Sequence, residues 1–374
     1  MNRSVVFHAV AAIAVLTQMI AAGPASAATL SAISTFGTNG WLAPGSIAYL
    51  GTGNNERGLA YNPATKNLVL VSRANVSGTA NNIVILNGTT GSVIKTMNPT
   101  GISGGDFTIN MAGTGTDGTI FVSNLTAQSA TPGVYKVYSW ASEASTSGPS
   151  TAFAATMSNA TLRFGDAFDV YGAGTAATFV SAGGGATGSN SVFASGLLDG
   201  SNTFTRYTSI PLTSTASNDY RLSLAYVDAD TIVGNQGTSA KITDFGGSAT
   251  VTGSVALGAA QRPLDYAVIG GKSVLAVIDT NSSQVQVFDV TTPSAATLLA
   301  SLNNTTGGLT ANANGAGQLA WGDINGDVAT LYAMSTNQGI QAMTFIVPEP
   351  STTLAAGLCT AGLAALMLRR RRTA

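Results

Sequence analysis

The sequence of 374 residues predicts an all-β fold, a six-bladed β-propeller closed by an N-terminal strand, and three observations carry that reading. Short apolar or alternating runs rich in Val, Ile, Thr, Phe and Tyr are separated by clusters of Gly, Asn, Asp and Ser, the pattern of strands and turns. Between the two chain ends no stretch keeps the 3.6-residue periodicity of an amphipathic helix, so helix is nearly absent. The runs also recur in units spaced by about 40 to 60 residues, with up to four strands to a unit, as propeller blades do.

The first unit has strands at 58–62, 68–71, 83–86 and 92–97, with turn residues at 63–67 and 87–91. In the second unit a strand at 106–110 turns at Asp117-Gly118 into 119–122, and 133–140 follows. The third uses 166–171, 177–181, 191–194 and 204–210, and the fourth 222–227, 231–233, 240–245 and 251–257. In the fifth, Gly270-Gly271-Lys272 joins 264–269 to 273–279, with 284–290 and 297–302 beyond. The last has only 318–321, 329–334 and 339–346, so residues 29–36 are expected to supply its fourth strand and remove the unpaired edge at the join. The competing architectures are a pair of β-sandwiches and a parallel β-helix.

The ends differ from the middle. Residues 1–27 run from Arg3 through an apolar stretch at 5–22 to Gly23-Pro24 and Ala25-Ser26-Ala27, the layout of a signal peptide with an apolar helix, cut after Ala27. A retained N-terminal anchor is the alternative. At the other end Val347-Pro348-Glu349-Pro350-Ser351 precedes 17 uncharged residues, 352–368, and then Arg369, Arg370, Arg371 and Arg372. As a helix this run is about 25 Å long, the short limit for a transmembrane span. The arginines should stay cytoplasmic, which leaves the preceding chain outside. This tail resembles the PEP-CTERM sorting signal. The resemblance implies a Gram-negative bacterium that makes extracellular polysaccharide, with an exosortase as processing partner. An ordinary tail anchor is the alternative. The expected division is a signal peptide at 1–27, the propeller at 28–347 and the sorting tail at 348–374.

Only 33 residues are charged, 16 basic and 17 acidic, too few for phosphate neutralisation, so no nucleic-acid partner is expected. Residues 28–347 hold 11 basic and 16 acidic side chains, a net charge of −5, and lack both His and Cys, since His8 and Cys359 fall in the end segments. Disulfides, thiol nucleophiles, Cys/His zinc sites and Ser-His-Asp triads are excluded in this region by inventory.

Gly113 to Gly118 satisfy GxGxxG, but a strand rather than a helix follows, so a hairpin turn is expected. Ser92 and Lys95 match SxxK on a strand, where i and i+3 face opposite ways, and the match is rejected. Asp323, Asn325 and Asp327 have the alternate oxygens of a calcium loop but lack Gly and an acid at positions 6 and 12, and a turn at Asn325-Gly326 explains them as well. Calcium is the one cofactor left open; otherwise none is expected. Near the start of each unit's first strand lies a charged or amide side chain: Arg57, Asp106, Asp166, Arg221, Arg262 and Gln318. In a propeller these ring one face of the channel, where they either bind a polar ligand such as a sugar or carboxylate or pair with one another. Trp41, Trp140 and Trp321 are expected to pack between blades rather than to stack on sugars.

The middle region also resembles a family of secreted bacterial propellers of unknown function. The resemblance rests on Trp41-Leu42-Ala43-Pro44-Gly45, Glu56-Arg57-Gly58-Leu59-Ala60-Tyr61-Asn62, Ile102-Ser103-Gly104-Gly105-Asp106-Phe107, Asp117-Gly118-Thr119-Ile120-Phe121-Val122-Ser123-Asn124-Leu125 and Arg163-Phe164-Gly165-Asp166. It implies the fold and supplies no catalytic residues. The expected function is a non-enzymatic, surface-sorted propeller that binds or organises extracellular matrix or polysaccharide. The alternative is a metal-assisted hydrolase or lyase with Asp and Asn ligands in the channel.

Overall fold

The computed structural model describes residues 27–126, 133–156, 162–185, 190–211, 219–235 and 237–348. Six antiparallel sheets follow one another along the chain, and together Thr29–Ile346 form one propeller unit. Blade 1 is β3 (Glu56–Asn62), β4 (Asn67–Ser72), β5 (Asn82–Asn87) and β6 (Val93–Thr96). Blade 2 is β7 (Phe107–Thr114), β8 (Ile120–Leu125), β9 (Val134–Trp140) and β10 (Ser150–Thr156). Blade 3 is β11 (Leu162–Tyr171), β12 (Thr178–Gly185), β13 (Asn190–Leu197) and β14 (Phe204–Pro211). Blade 4 is β15 (Ser223–Asp228), β16 (Thr231–Asn235), β17 (Ser239–Asp244) and β18 (Thr250–Ala256). Blade 5 is β19 (Gln261–Ile269), β20 (Lys272–Asp279), β21 (Val285–Asp289) and β22 (Thr297–Leu302).

Blade 6, β23 (Gly317–Asn325), β24 (Val328–Ser335) and β25 (Gly339–Ile346), takes its outer strand from the other end of the chain, as expected. That strand comes in two pieces. β1 (Thr29–Ala32) pairs Thr29 with Ile346, and β2 (Trp41–Leu42) pairs Trp41 with Gln341. The turn between them passes through Gly37 and Gly40, both at positive φ, so the single strand expected over 29–36 stops early. Besides the two-residue β2, β10 is absent from the sequence reading: its Ser-Thr-Ala-Phe-Ala-Ala-Thr run has a single large apolar residue to mark it.

The core lies between blades. Leu59, Leu68 and Leu70 of blade 1 pack on Tyr332, Met334 and Ile340 of blade 6, while Phe153 of blade 2 meets Phe179 of blade 3 at 4.8 Å, edge to face. Around the axis a circuit of polar side chains ties each blade's first strand to the next. Arg57 Nε donates to Asn110 Oδ1 (3.3 Å), and Asn110 Nδ2 to the carbonyl of Gly165. The N–H groups of Tyr226, Leu264, Trp321 and Leu59 donate in turn to Asp169, Ser223, Asp265 and Gln318, at 2.7, 2.6, 2.8 and 2.9 Å. Each bond satisfies a buried backbone or side-chain group and fixes the rotation between neighbouring blades. At Gly58 the strands come so close that a Cβ would stand 2.5 Å from the Ala112 nitrogen.

Candidate functional site

A cavity of about 610 Å³ opens where the first strands of blades 1 to 4 begin. Its wall includes Arg57, Arg73, Arg163 and Arg221, four of the six arginines in residues 28–347, together with Asp106 and Asp166. Asn54, Asn55, Asn81, Thr108 and Asn314 add amide and hydroxyl groups, and Phe107 adds an aromatic ring 44% exposed.

Local backbone irregularities aim these side chains. The pairing of β3 with β4 shifts register between Glu56 and Gly58, and that of β11 with β12 between Phe164 and Ala167, so Arg57 and Asp166 both sit on bulges. Gly165 makes the second bulge feasible. Its φ is +100°, and a Cβ there would fall 2.1 Å from the carbonyl oxygen of Asn124.

Asp166 is the hub. Its carboxylate accepts Arg163 Nε and Nη2 at 2.5 and 3.0 Å and Arg221 Nε at 3.0 Å, with Arg57 Nη2 at 3.7 Å. Burial pushes its pKa up, but the hydrogen bond from Arg163 and the charges of Arg163, Arg221 and Arg57 more than reverse this and hold it below the usual carboxylate range. The Arg163 guanidinium is correspondingly raised by its bond to Asp166. Arg57, only 4% exposed, is lowered by burial despite the Asp166 charge. Arg73 is lowered to about 9 by burial and by Arg57; its guanidinium carbon lies 3.8 Å from the Phe107 ring centre, and its buried Nη1 has no hydrogen-bond partner.

Four of the six side chains expected to ring the channel therefore meet at this mouth: Arg57, Asp106, Asp166 and Arg221. Arg262 and Gln318 go elsewhere. Arg262, in a register shift between Gln261 and Leu264, donates Nε to the Ala259 carbonyl (3.0 Å) and lies against Gly315. Gln318 reaches across the channel. Besides accepting Leu59 N–H, its Nε2 donates to the carbonyls of Ala112 (2.8 Å) and Phe168 (3.2 Å), so one side chain of blade 6 joins blades 1, 2 and 3. With Met111, Phe168 and Leu222 it lines a waist holding only about 10 Å³ of free space.

Further along the same strands a second cavity, about 130 Å³, is bounded by Asp169, Asp265, Tyr61 and Trp321. Burial raises Asp169 to about 6 and Asp265 to about 8, the latter helped by repulsion from Asp169. Sequence reasoning missed both acids, and also Arg73 and Arg163. Arg73 follows β4 and Arg163 stands three residues before Asp166, so neither occupies the repeating position that marked the others. The available signal was scarcity, since any convergence of six arginines has to use most of them.

The other motifs fold as turns and strands. Gly113 to Gly118 form the β7–β8 hairpin, closed by Gly115 N–H to the Thr119 carbonyl (2.8 Å). Lys95, on β6, donates to the Glu143 carbonyl at 2.6 Å. Asn325 and Asp327 flank Gly326 in the β23–β24 hairpin, and the two oxygens of Asp323 accept Tyr61 Oη and Lys66 Nζ, both at 2.7 Å. Among the described residues no three His, Cys, Asp or Glu side chains gather as a metal site. Trp41, Trp140 and Trp321 are all buried, with Trp41 Nε1 donating to the Gln338 carbonyl (2.9 Å).

The family profile described as the PEP-CTERM protein-sorting motif matches residues 347–372. Its Glu349 and Pro350, the apolar run at 352–368 and the leader at 1–26 lie outside the described residues; among the described residues no helix is long and apolar enough to cross a membrane. No curated protein matches the chain. Among solved structures it is similar to a DUF4623 family protein of Bacteroides eggerthii, at 15% identity and a TM-score of 0.60 over 80% of this chain and 72% of that one. It is also similar to a protein of unknown function from Bacteroides thetaiotaomicron, at 13% identity and 0.50 over 86% and 75% of the two chains. The allergen Mala s 1 of Malassezia sympodialis is similar at 13% and 0.50 over 80% and 94%. At these identities the likeness is one of fold.

Proposed function

We infer from the PEP-CTERM motif that the protein is exported, anchored in the membrane before processing, and processed by an exosortase. We propose that the exported propeller is a non-enzymatic binding protein that holds extracellular polysaccharide at its arginine-lined mouth and stays at the cell surface to do so. The observation that carries this reading is the convergence of four of the region's six arginines on one open cavity beside an exposed aromatic ring and several amides. Amides and hydroxyls hydrogen-bond sugar hydroxyls, an aromatic face covers the apolar face of a pyranose, and a preformed concave mouth limits the ordering cost. Electrophoresis of the purified protein through gels cast with individual polysaccharides tests it. Retardation by at least one polymer is expected, reduced by Phe107→Ala; unchanged mobility in a panel of both neutral and acidic polymers would remove the reading.

A further inference from the structure

Resting on that reading, we infer that the mouth selects carboxylated sugars, uronic-acid units, over neutral ones. The charge count leads there. Four guanidinium groups face two carboxylates in the cavity wall, and counting the buried Glu56 that acts on Arg57 still leaves an excess of positive charge, within a region whose net charge is −5. Glu56 itself is buried behind Arg57, where its carboxylate accepts the Gly51 N–H, and it does not line the cavity.

Asp166 fixes the orientation of the donors, and its single charge is shared among three of them. It takes both Arg163 bonds and the Nε of Arg221, which leaves the terminal nitrogens of Arg221, a side chain 29% exposed, for a ligand. A guanidinium edge offers two parallel N–H donors, and a carboxylate matches that spacing with two coplanar oxygens. Arg73, its guanidinium carbon 3.8 Å from the Phe107 ring centre, adds a further cation to the cavity wall. Phe107 places an apolar face beside these cations, as a pyranose carrying a carboxylate requires. A neutral sugar meets the same amides but leaves the excess charge unanswered.

The experiment is calorimetric titration of the purified full-length protein with a galacturonate oligosaccharide, the matching neutral galactose oligosaccharide, and sodium sulfate. The uronate is expected to bind at least about tenfold more tightly than the neutral oligomer, and to weaken steeply as salt rises. Arg221→Gln should remove most of that preference. Arg262→Gln, outside the cavity, should keep it, and thermal melts show whether each variant is folded. If Arg221→Gln fails to fold, Phe107→Ala combined with the salt series takes its place. Uronate and neutral oligomers binding equally, with Phe107→Ala weakening both, would overturn the selectivity and leave polysaccharide binding standing. Sulfate binding as tightly as the uronate would overturn the carboxylate assignment. Absence of binding by either oligomer would overturn both proposals.

Discussion

At one mouth of the channel Asp166 accepts hydrogen bonds from two arginines; three residues further along β11, in the second cavity, Asp169 accepts the backbone N–H groups of Tyr226 and Val170. Both carboxyls are desolvated, yet Asp166 is held below the usual range while Asp169 is raised to about 6. The difference teaches that the strand supplies the acids and the neighbouring blades decide their charge. Blades 1 and 4 bring Arg57 and Arg221 to Asp166, whereas the nearest ionisable influence on Asp265, raised to about 8, is Asp169 itself. The first mouth is therefore a charged, open site. The second is a narrow space whose acids serve chiefly as acceptors between blades.

The largest effect should come from breaking the hub. Asp166→Ala leaves buried Arg57 and its two neighbours without their shared counter-charge, and denaturant unfolding should show a loss of about 3–5 kcal/mol.

The contrast also fixes opposite pH signs. Asp166 has a depressed folded pKa, so its stabilisation is present above about pH 4 and is lost as pH falls below that. For Asp265 the folded pKa is raised to about 8, so folding favours the protonated acid. Between about pH 4 and 8 the unfolded chain has lost this proton and the folded one retains it, so stability falls as pH rises, by on the order of 1 kcal/mol per unit. Thermal melts across that range should show the decline, and Asp265→Asn should flatten it between about pH 6 and 8, above the range in which Asp169, raised to about 6, also contributes; an unchanged slope there in the variant would remove Asp265 as its source.

At the waist between the two cavities, Gln318→Ala should cost about 1–3 kcal/mol by stranding Leu59 N–H and the carbonyls of Ala112 and Phe168, again read by denaturant unfolding. The smallest effect belongs to Arg262→Gln, expected within about 0.5 kcal/mol because this side chain makes one exposed bond to a turn carbonyl.

Much of the architecture is legible along the chain because its determinants are local. The unbroken apolar strands β4 and β5 are buried on both faces, as their composition demands, and the glycine, asparagine and aspartate turns fall where strands reverse. β10 escaped because small and polar residues dominate it. The site was half legible. A repeating position marked Arg57, Asp106, Asp166 and Arg221, but the same position in blades 5 and 6 sends Arg262 to a turn and Gln318 across the channel.

The sequence by itself determined that the chain is β-rich, that its six units close through the N-terminal strand, and that its last residues form a sorting signal, because alternation, turn chemistry and motif order are properties of neighbours along the chain. Only the tertiary structure decided that Arg73 and Arg163 join the mouth, that Asp166 holds three arginines, and that Asp169 and Asp265 are raised instead of lowered. Those outcomes depend on the bulge at Gly165 and on how each blade is rotated against the next. Distance and desolvation set the sign of a charge's interactions, and neither can be read from spacing along one strand.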